Sequence, residues 1–447
     1  MFLLVVMMEH LQQLLTLAVI LNLEVHQMDV ENTFLNATLS VHIYVEQPQG
    51  FIDLEWLDHV CLLHKSLYGL HQAPLKWNRM MDRHLRSHHF LPTHTNPCIY
   101  MLQESSALVI ITVYIDNCVI VTPLKHIERA KMVLHDSFRM KDLGQARSIL
   151  GMEVMRDREE GALYLRQAGK IMEILHDFGM ADAKSIGTPM DPGLILHKLK
   201  VTAPGHLGKP YRSVVGRLSY LSQATRPDIA FAVNVLSRHV NGYDQSHWGA
   251  VKHLLQYLRA TKDLTIKYTT SGSHSQSGGL LPVGYADADW GRDVKTRRSM
   301  SGILFTLGGS PIQWGARTQK CVATSTMEAE LNAIAETIKE AAHLNRITRE
   351  LFPHIDATLQ LYCNNQSAIV IAKSKPGEHT QRTKHYALKL AFLHESVSKL
   401  NVDFKYLPTE VMPADVFTKA LGRARVVELR SLINLVEPKI ESKGRVV

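Results

Sequence analysis

From Ala107 to Thr122 the chain is almost entirely apolar and rich in Val and Ile, with one polar break at Tyr114, Ile115, Asp116 and Asn117. Two buried strands joined by an acidic turn are what such a pattern predicts. Between 8 and 23, Leu11, Leu14, Leu15, Ala18 and Val19 recur at helical spacing, predicting an amphipathic helix. A strand ending on Asp29 follows, then strands around 150–154 and 163–165, and a helix over 168–180. The Pro- and Gly-bearing stretch from Thr188 to Pro210 is a connector, and the Ser/Gly run from Ser271 to Gly279 a linker. Beyond it, Val283 to Trp290 is a strand ending on acids. Ala323 to Ala333 opens a helix with a Thr or Ser cap, and Leu359 to Ala368 runs from strand into helix. No internal repeat is visible.

With 447 residues, 45% of them hydrophobic, the chain has room for two to four domains and is not disordered. Fifty Lys and Arg against 42 Asp and Glu leave a net charge of +8, which suits a polyanionic partner. The five cysteines stand singly, so neither a disulfide framework nor a zinc site is expected, and a reducing intracellular compartment is expected, cytoplasmic or nuclear. Met1 to Met8 is apolar but has no basic residues ahead of it and runs into Glu9 and His10. It is also too short to span a bilayer, so neither a signal peptide nor a membrane role is expected.

The candidate chemistry is acidic. Asp116 at the hairpin turn and Asp29 at a strand end are far apart in sequence but would sit on neighbouring strands. Paired carboxylates of this kind suit Mg²⁺, a hard cation that prefers oxygen ligands and organises phosphoryl transfer. Phe34 would face an incoming sugar, where its volume could exclude a 2′-hydroxyl.

Four ordered motifs then carry a resemblance: Asp29 to Asn36, Ile43 to Phe51, Leu67 to Pro74 and Tyr114 to Asn117. The chain resembles the reverse transcriptase of copia-type long-terminal-repeat retrotransposons, whose patterns are Asp-Val-x-x-Ala-Phe-Leu-x-Gly, Glu-Gln-Pro-x-Gly-Phe, Leu-Tyr-Gly-Leu-Lys-Gln-Ala-Pro and Tyr-Val-Asp-Asp. Landmarks such as Thr225-Arg-Pro-Asp228 extend the resemblance, which runs from 29 to 421. It implies an α+β chain: a right-hand polymerase palm and thumb with truncated fingers, then an α/β ribonuclease H-like domain with a mixed central sheet. The expected division is 1–187 for palm and thumb-like region, 188–279 for a connection, 280–421 for the ribonuclease H-like domain and 422–447 for a polar tail. The helix over 8–23 would pack on the palm.

By the same resemblance Asp29, Asp116 and Asn117 occupy the polymerase metal-site positions. Phe34 discriminates the sugar, and Tyr68, Gly69, Gln72 and Pro74 belong to the loop that positions template and nucleotide, Gly69 for close backbone approach. The ribonuclease acids fall on Asp287, Glu330, Asn364 and Asp415, while Asp289, Glu328 and His385 have supporting roles. Expected partners are an RNA template, a DNA primer, RNA–DNA hybrid and deoxynucleoside triphosphates. The expected ion is Mg²⁺, with Mn²⁺ as its substitute.

The departures from the pattern fall on the sites. Asn117 and Asn364 each stand where the family has Asp, and Asn96 is a third such exchange. A neutral amide offsets less of a dication's desolvation cost than a carboxylate does. Two readings follow: an RNA-directed DNA polymerase with ribonuclease H, weakened at both sites, or a non-catalytic nucleic-acid-binding remnant of one.

Overall fold

The computed structural model describes residues 6–104, 107–197, 208–270, 280–355, 358–374 and 387–438. The chain gathers into two units, Met1–Met7 with Asn22–Ala146 in the first, and Met8–Leu21 with Arg147–Val447 in the second. The Ser271–Gly279 linker and His385 lie outside the described residues.

After its first helix, α1 (Met8–Ile20), the chain builds the first unit. This holds β1 (Glu24–Val30), the short pair β2 (Tyr44–Val45) and β3 (Cys61–Leu62), α2 (Ala73–Ser87) and β4 (Leu91–Pro92). It continues with β5 (Ile99–Glu104), β6 (Ala107–Tyr114), β7 (Asn117–Thr122), α3 (Leu124–His135) and β8 (Met140–Gln145). A six-stranded sheet runs in the order β4-β5-β6-β7-β1-β8. The apolar runs on either side of Asp116 form the expected hairpin, with Tyr114 opposite Asn117. One face of the sheet, including Met28, Val30, Ile111, Cys118 and Ile120, packs against Trp77, Met81 and Leu85 of α2 and Ile127, Ala130 and Leu134 of α3. Because strand side chains alternate, Gln27, Asp29 and Asn117 are left on the other face. This is the palm.

The second unit contains two sheets. The first joins β9 (Ser148–Ile149), β10 (Met152–Asp157), β11 (Ala162–Arg166), β12 (Thr265–Thr269) and β18 (Leu435–Val436) in the order β18-β12-β11-β10-β9. Strands β10 and β11 pair with each other, and β11 continues the sheet to β12. Helices α4 (Ala168–Asp177), α5 (Tyr211–Ala224), α6 (Ala230–Ser237) and α7 (Gln245–Ala260) share an apolar core, and Asp244 caps α7. The second sheet joins β13 (Val283–Asp289), β14 (Met300–Leu307), β15 (Ser310–Thr318), β16 (Leu359–Cys363) and β17 (Val402–Tyr406) in the order β15-β14-β13-β16-β17. Strands β13, β16 and β17 run parallel, and β14 and β15 antiparallel, so the sheet is mixed as expected. Helix α8 (Thr326–Leu351), capped by Ser325, packs on it with α9 (Gln366–Lys373) and α10 (Ala387–Leu400). The whole is α+β, with a six-stranded sheet in the first unit and a mixed five-stranded sheet in the second, as the resemblance implied.

Two expectations change. Helix α1 packs on β11, β12, β15 and α8 of the second unit, not on the palm. Its polar residues are buried as well as its leucines: Gln12 Nε2 donates to the Ala224 carbonyl at 2.8 Å, Gln13 Nε2 to Thr348 Oγ1 at 2.6 Å, and His10 stacks on His343. A helix buried all round has no solvent face to turn outward. The stretch from 422, expected as a polar tail, forms α11 (Arg423–Leu432) and then β18, because Val426, Leu429, Ile433 and Leu435 all point into the core.

Beneath α7 lies a fully buried ion pair. Arg226 donates to both oxygens of Asp228, at 2.9 and 2.7 Å, and to the carbonyl and hydroxyl of Thr261, while the Tyr257 hydroxyl donates to Asp228 Oδ2 at 2.6 Å. Removing one partner would strand a buried charge. Asp228→Ala is expected to cost about 3–5 kcal/mol in denaturant unfolding of the full chain, whereas breaking an exposed pair such as Lys399–Glu395 is expected to leave the unfolding midpoint nearly unchanged.

Candidate active sites

In the palm, β1 and β7 set Asp29 directly opposite Asn117, and the Val30 N–H donates to the Asp116 carbonyl at 2.8 Å. Ile115 takes φ +56° in the two-residue turn, a left-handed conformation that costs a β-branched residue energy. What holds it is Trp77 of α2, whose indole N–H donates to the Ile115 carbonyl at 2.8 Å. Burial, with Asp116 close by, raises the Asp29 carboxyl above its ordinary range, and Lys141 opposes the shift. Asn117 is engaged at both ends of its amide. Its Nδ2 donates to Asp116 Oδ1 at 2.9 Å, and its Oδ1 accepts from Gln27 Nε2 at 2.6 Å.

Phe34 sits in a short 3₁₀ turn, half-buried, with its ring edge-on to Tyr68 at 4.8 Å. Gly69 has φ +93° and open space where a Cβ would stand, so the backbone turn requires glycine there, and nothing in the protein approaches it closely. Gln72 and Pro74 start α2, the proline in its first turn. Asn96 Oδ1 accepts from the Cys98 N–H at 3.1 Å, a buried turn contact away from the acids.

In the second unit, four residues expected at a ribonuclease site converge. Asp287 lies on β13, Glu330 on α8, Asn364 just past β16, and Asp415 in a 3₁₀ turn over Pro413–Phe417. Asn364 Nδ2 donates to Asp287 Oδ1 at 2.8 Å, and the Thr418 hydroxyl donates to Asp287 Oδ2 at 2.7 Å. The Asn364 side-chain oxygen is buried without a hydrogen-bond donor. Glu330 accepts from the Ala288 N–H and lies near the Cys363 thiol. Its carboxyl is pushed up to about 9, by burial first and by the neighbouring Asp287 and Asp415 next. Burial and Asp415 also raise Asp287. Lys419 Nζ, at 2.7 Å, and Arg425, at 3.2 Å, each donate to Asp415.

Lys419 lies four residues beyond Asp415, a spacing visible in sequence, whereas Arg425 was hidden in a stretch taken for a tail. Glu328 accepts from the Thr324 N–H and hydroxyl and so closes the start of α8. Asp289 pairs with Arg292 at 3.7 Å. Arg292 also lines a groove of about 880 Å³ with Arg238, Lys295 and Arg298, next to Met190 and Leu194.

A palm with acids at its hairpin turn, followed by a mixed sheet with a second acidic cluster, defines a chain of the reverse-transcriptase class. The family model described as reverse transcriptase (RNA-dependent DNA polymerase) matches residues 1–192. The chain is 39% identical over 440 residues to the retrovirus-related Pol polyprotein from transposon TNT 1-94 of Nicotiana tabacum, covering 96% of this chain and 32% of that one. It is 32% identical to the polyprotein from transposon RE2 of Arabidopsis thaliana, covering 92% of this chain and 28% of that one. It is also 31% identical to a putative transposon Ty5-1 protein of Saccharomyces cerevisiae, over 70% of this chain and all of the relative. The chain belongs to the reverse transcriptase family of copia-type retrotransposon polyproteins, and it spans about a third of the tobacco and Arabidopsis relatives. Among the described residues, no helix is long and apolar enough to cross a membrane.

The raised Glu330 carboxyl has a consequence for stability. A carboxyl whose folded value lies above its unfolded value of 4.5 holds its proton more tightly when folded. Its contribution is complete below about pH 4.5 and is lost as pH rises toward about 9. Without divalent ions, the second unit should therefore melt several degrees lower at pH 9 than at pH 5. Glu330→Gln should flatten that slope and raise the melting temperature at pH 9, as calorimetry across a pH series would reveal.

Proposed function

We propose that this chain is the polymerase and ribonuclease H part of a copia-type polyprotein, acting on RNA template, DNA primer, RNA–DNA hybrid and deoxynucleoside triphosphates, with both sites weakened by an amide in place of an acid. The observation that carries the reading is the cluster of Asp287, Glu330, Asn364 and Asp415. Two acids there are pushed toward protonation, and one buried side-chain oxygen lacks a donor, as a site shaped for a cation would have them.

Asp287, Glu330 and Asp415, with Asn364 Oδ1, would hold Mg²⁺ or Mn²⁺, and Asp29 with Asp116 would do so in the palm. Bound there, the ions would neutralise phosphate charge and activate the attacking oxygen. The protein's own groups supply the rest. Thr418 and Asn364 fix the Asp287 carboxylate by one donor on each oxygen, and Lys419 and Arg425 hold the Asp415 carboxylate in place. In the palm, Trp77 holds the turn, and Phe34 against Tyr68 forms the wall that would meet the sugar. The basic groove of Arg238, Arg292, Lys295 and Arg298 suits a phosphate backbone.

The second reading, a nucleic-acid-binding remnant without catalysis, is favoured by Asn117. Gln27 and Asp116 already occupy both ends of its amide, so it offers a metal less than Asn364 does.

Restoring the acids should separate the two. Losing one carboxylate is expected to remove about 3–4 kcal/mol of transition-state stabilisation, a few hundredfold to roughly a thousandfold in rate. Asn364→Asp should therefore raise hybrid cleavage by at least about a hundredfold, and it should rescue more than Asn117→Asp does in primer extension. Asp at 364 also replaces a donor to Asp287 with a like charge, so its folding should become dependent on divalent ions. Cleavage that stays absent in Asn364→Asp while extension recovers in Asn117→Asp would reverse this assignment.

Binding is tested separately. Replacing Lys295 and Arg298 together by Gln should weaken hybrid binding and lower its logarithmic salt slope by about two. An unchanged slope would exclude the groove from the phosphate path.

A further inference from the structure

On the side of the palm sheet away from Asp29, the ends of α2 and α3 bring together three groups that the polymerase reading does not use. His84 lies in the last turn of α2, His88 caps that helix four residues later, and Asp136 caps α3. One ring nitrogen of each histidine and one carboxylate oxygen of Asp136 all lie within 4.8 Å of one another. We propose that His84, His88 and Asp136 form a zinc site that ties α2 to α3.

Three observations support it. His84 is buried, and its Nε2 is 2.6 Å from the Val133 carbonyl of α3. A carbonyl only accepts, so Nε2 carries the proton and Nδ1 the lone pair. A backbone oxygen fixing the tautomer in this way is how metal-binding histidines are commonly oriented.

One spacing already matches a bound ion. His88 Nε2 and Asp136 Oδ2 stand 3.4 Å apart, long for a charge-assisted hydrogen bond. Two ligands about 2.0–2.1 Å from a tetrahedral zinc ion stand about 3.3–3.4 Å apart.

Finally, the backbone holds the second histidine in place. His89 has φ +65°, its N–H donates to the Arg86 carbonyl, and the Phe90 N–H donates to the Leu85 carbonyl, so the chain turns sharply immediately after His88. Two nitrogens and one oxygen suit a borderline ion such as Zn²⁺ better than Mg²⁺, with water completing four-coordination. The site would act through α2, because that helix also carries Trp77, which holds the palm turn.

The test uses the full chain, stripped with chelator and then kept in excess Mg²⁺ so that the carboxylate sites are occupied. Zn²⁺ titration by calorimetry should give one equivalent, and Co²⁺ in its place should give the visible absorption of a tetrahedral site. His88→Ala and Asp136→Asn should each weaken Zn²⁺ binding by at least about tenfold and abolish the Co²⁺ band. Both replaced groups are at least partly exposed, and circular dichroism would verify that both variants fold. The proposal is overturned if the wild-type chain takes up no Zn²⁺ in excess Mg²⁺, or if both variants bind it as the wild type does.

Discussion

Repulsion among acids that cannot leave one another is the constraint around which the second unit is organised. β13 carries Asp287 into contact with Asn364 beyond β16, while α8 brings Glu330 and the turn after Met412 brings Asp415. Removing such groups from water is costly, and placing like charges together costs more. The structure offsets the cost in three ways. Glu330 keeps its proton, Asp415 takes Lys419 and Arg425, and Asp287 receives a donor on each oxygen. Even α11 belongs to this arrangement, since its first turn supplies Arg425. Close packing reinforces it: a Cβ on Gly302 of β14, opposite Asp287, would meet the Ala414 carbonyl at 2.6 Å, so the turn that carries Asp415 lies directly against the sheet.

The two asparagines beside the acids, Asn117 and Asn364, differ in how their amides are engaged. Asn364 donates to Asp287, a contact no aspartate could make, and this holds the site together when no cation is bound. Its oxygen is left over, so the position keeps part of its capacity as a ligand. Asn117 is absorbed at both ends, by Gln27 and Asp116. The same residue type thus keeps an open oxygen in one place and closes a hydrogen-bond chain in the other, a difference that depends on neighbours and not on the residue itself.

Most of the architecture was legible because alternation and apolar runs impose it. The run from 107 to 122 can bury itself only as paired strands, and Ser325 ahead of an apolar-periodic stretch fixes where α8 begins. Where the sequence misled, polar residues were doing buried work. Gln12 and Gln13 look like a solvent face of α1, yet their partners, Ala224 and Thr348, lie more than two hundred residues away. Arg423, Arg425 and Arg430 made the end of the chain look like a tail, although the apolar residues between them fit a helix. The ordered motifs located the acids, but what surrounds each acid was not legible, because Gln27, Thr418 and Arg425 reach their sites only through tertiary structure.

The Thr225-Arg-Pro-Asp228 landmark shows how a motif can mark scaffold and not chemistry. Its charges are paired, but Arg226 and Asp228 are fully buried, satisfied by each other, Thr261 and Tyr257. Burial is the largest single effect on each group, but their attraction and hydrogen bonds together outweigh it, holding Arg226 above and Asp228 below its ordinary range. At Glu330 the balance runs the other way, and burial among like charges drives the proton on. A buried acid paired with a guanidinium has what it needs within the fold. A buried acid beside other acids does not, and the charge it lacks must come from a proton or from a cation, which is why the second kind of cluster is where chemistry on a phosphate can be sought.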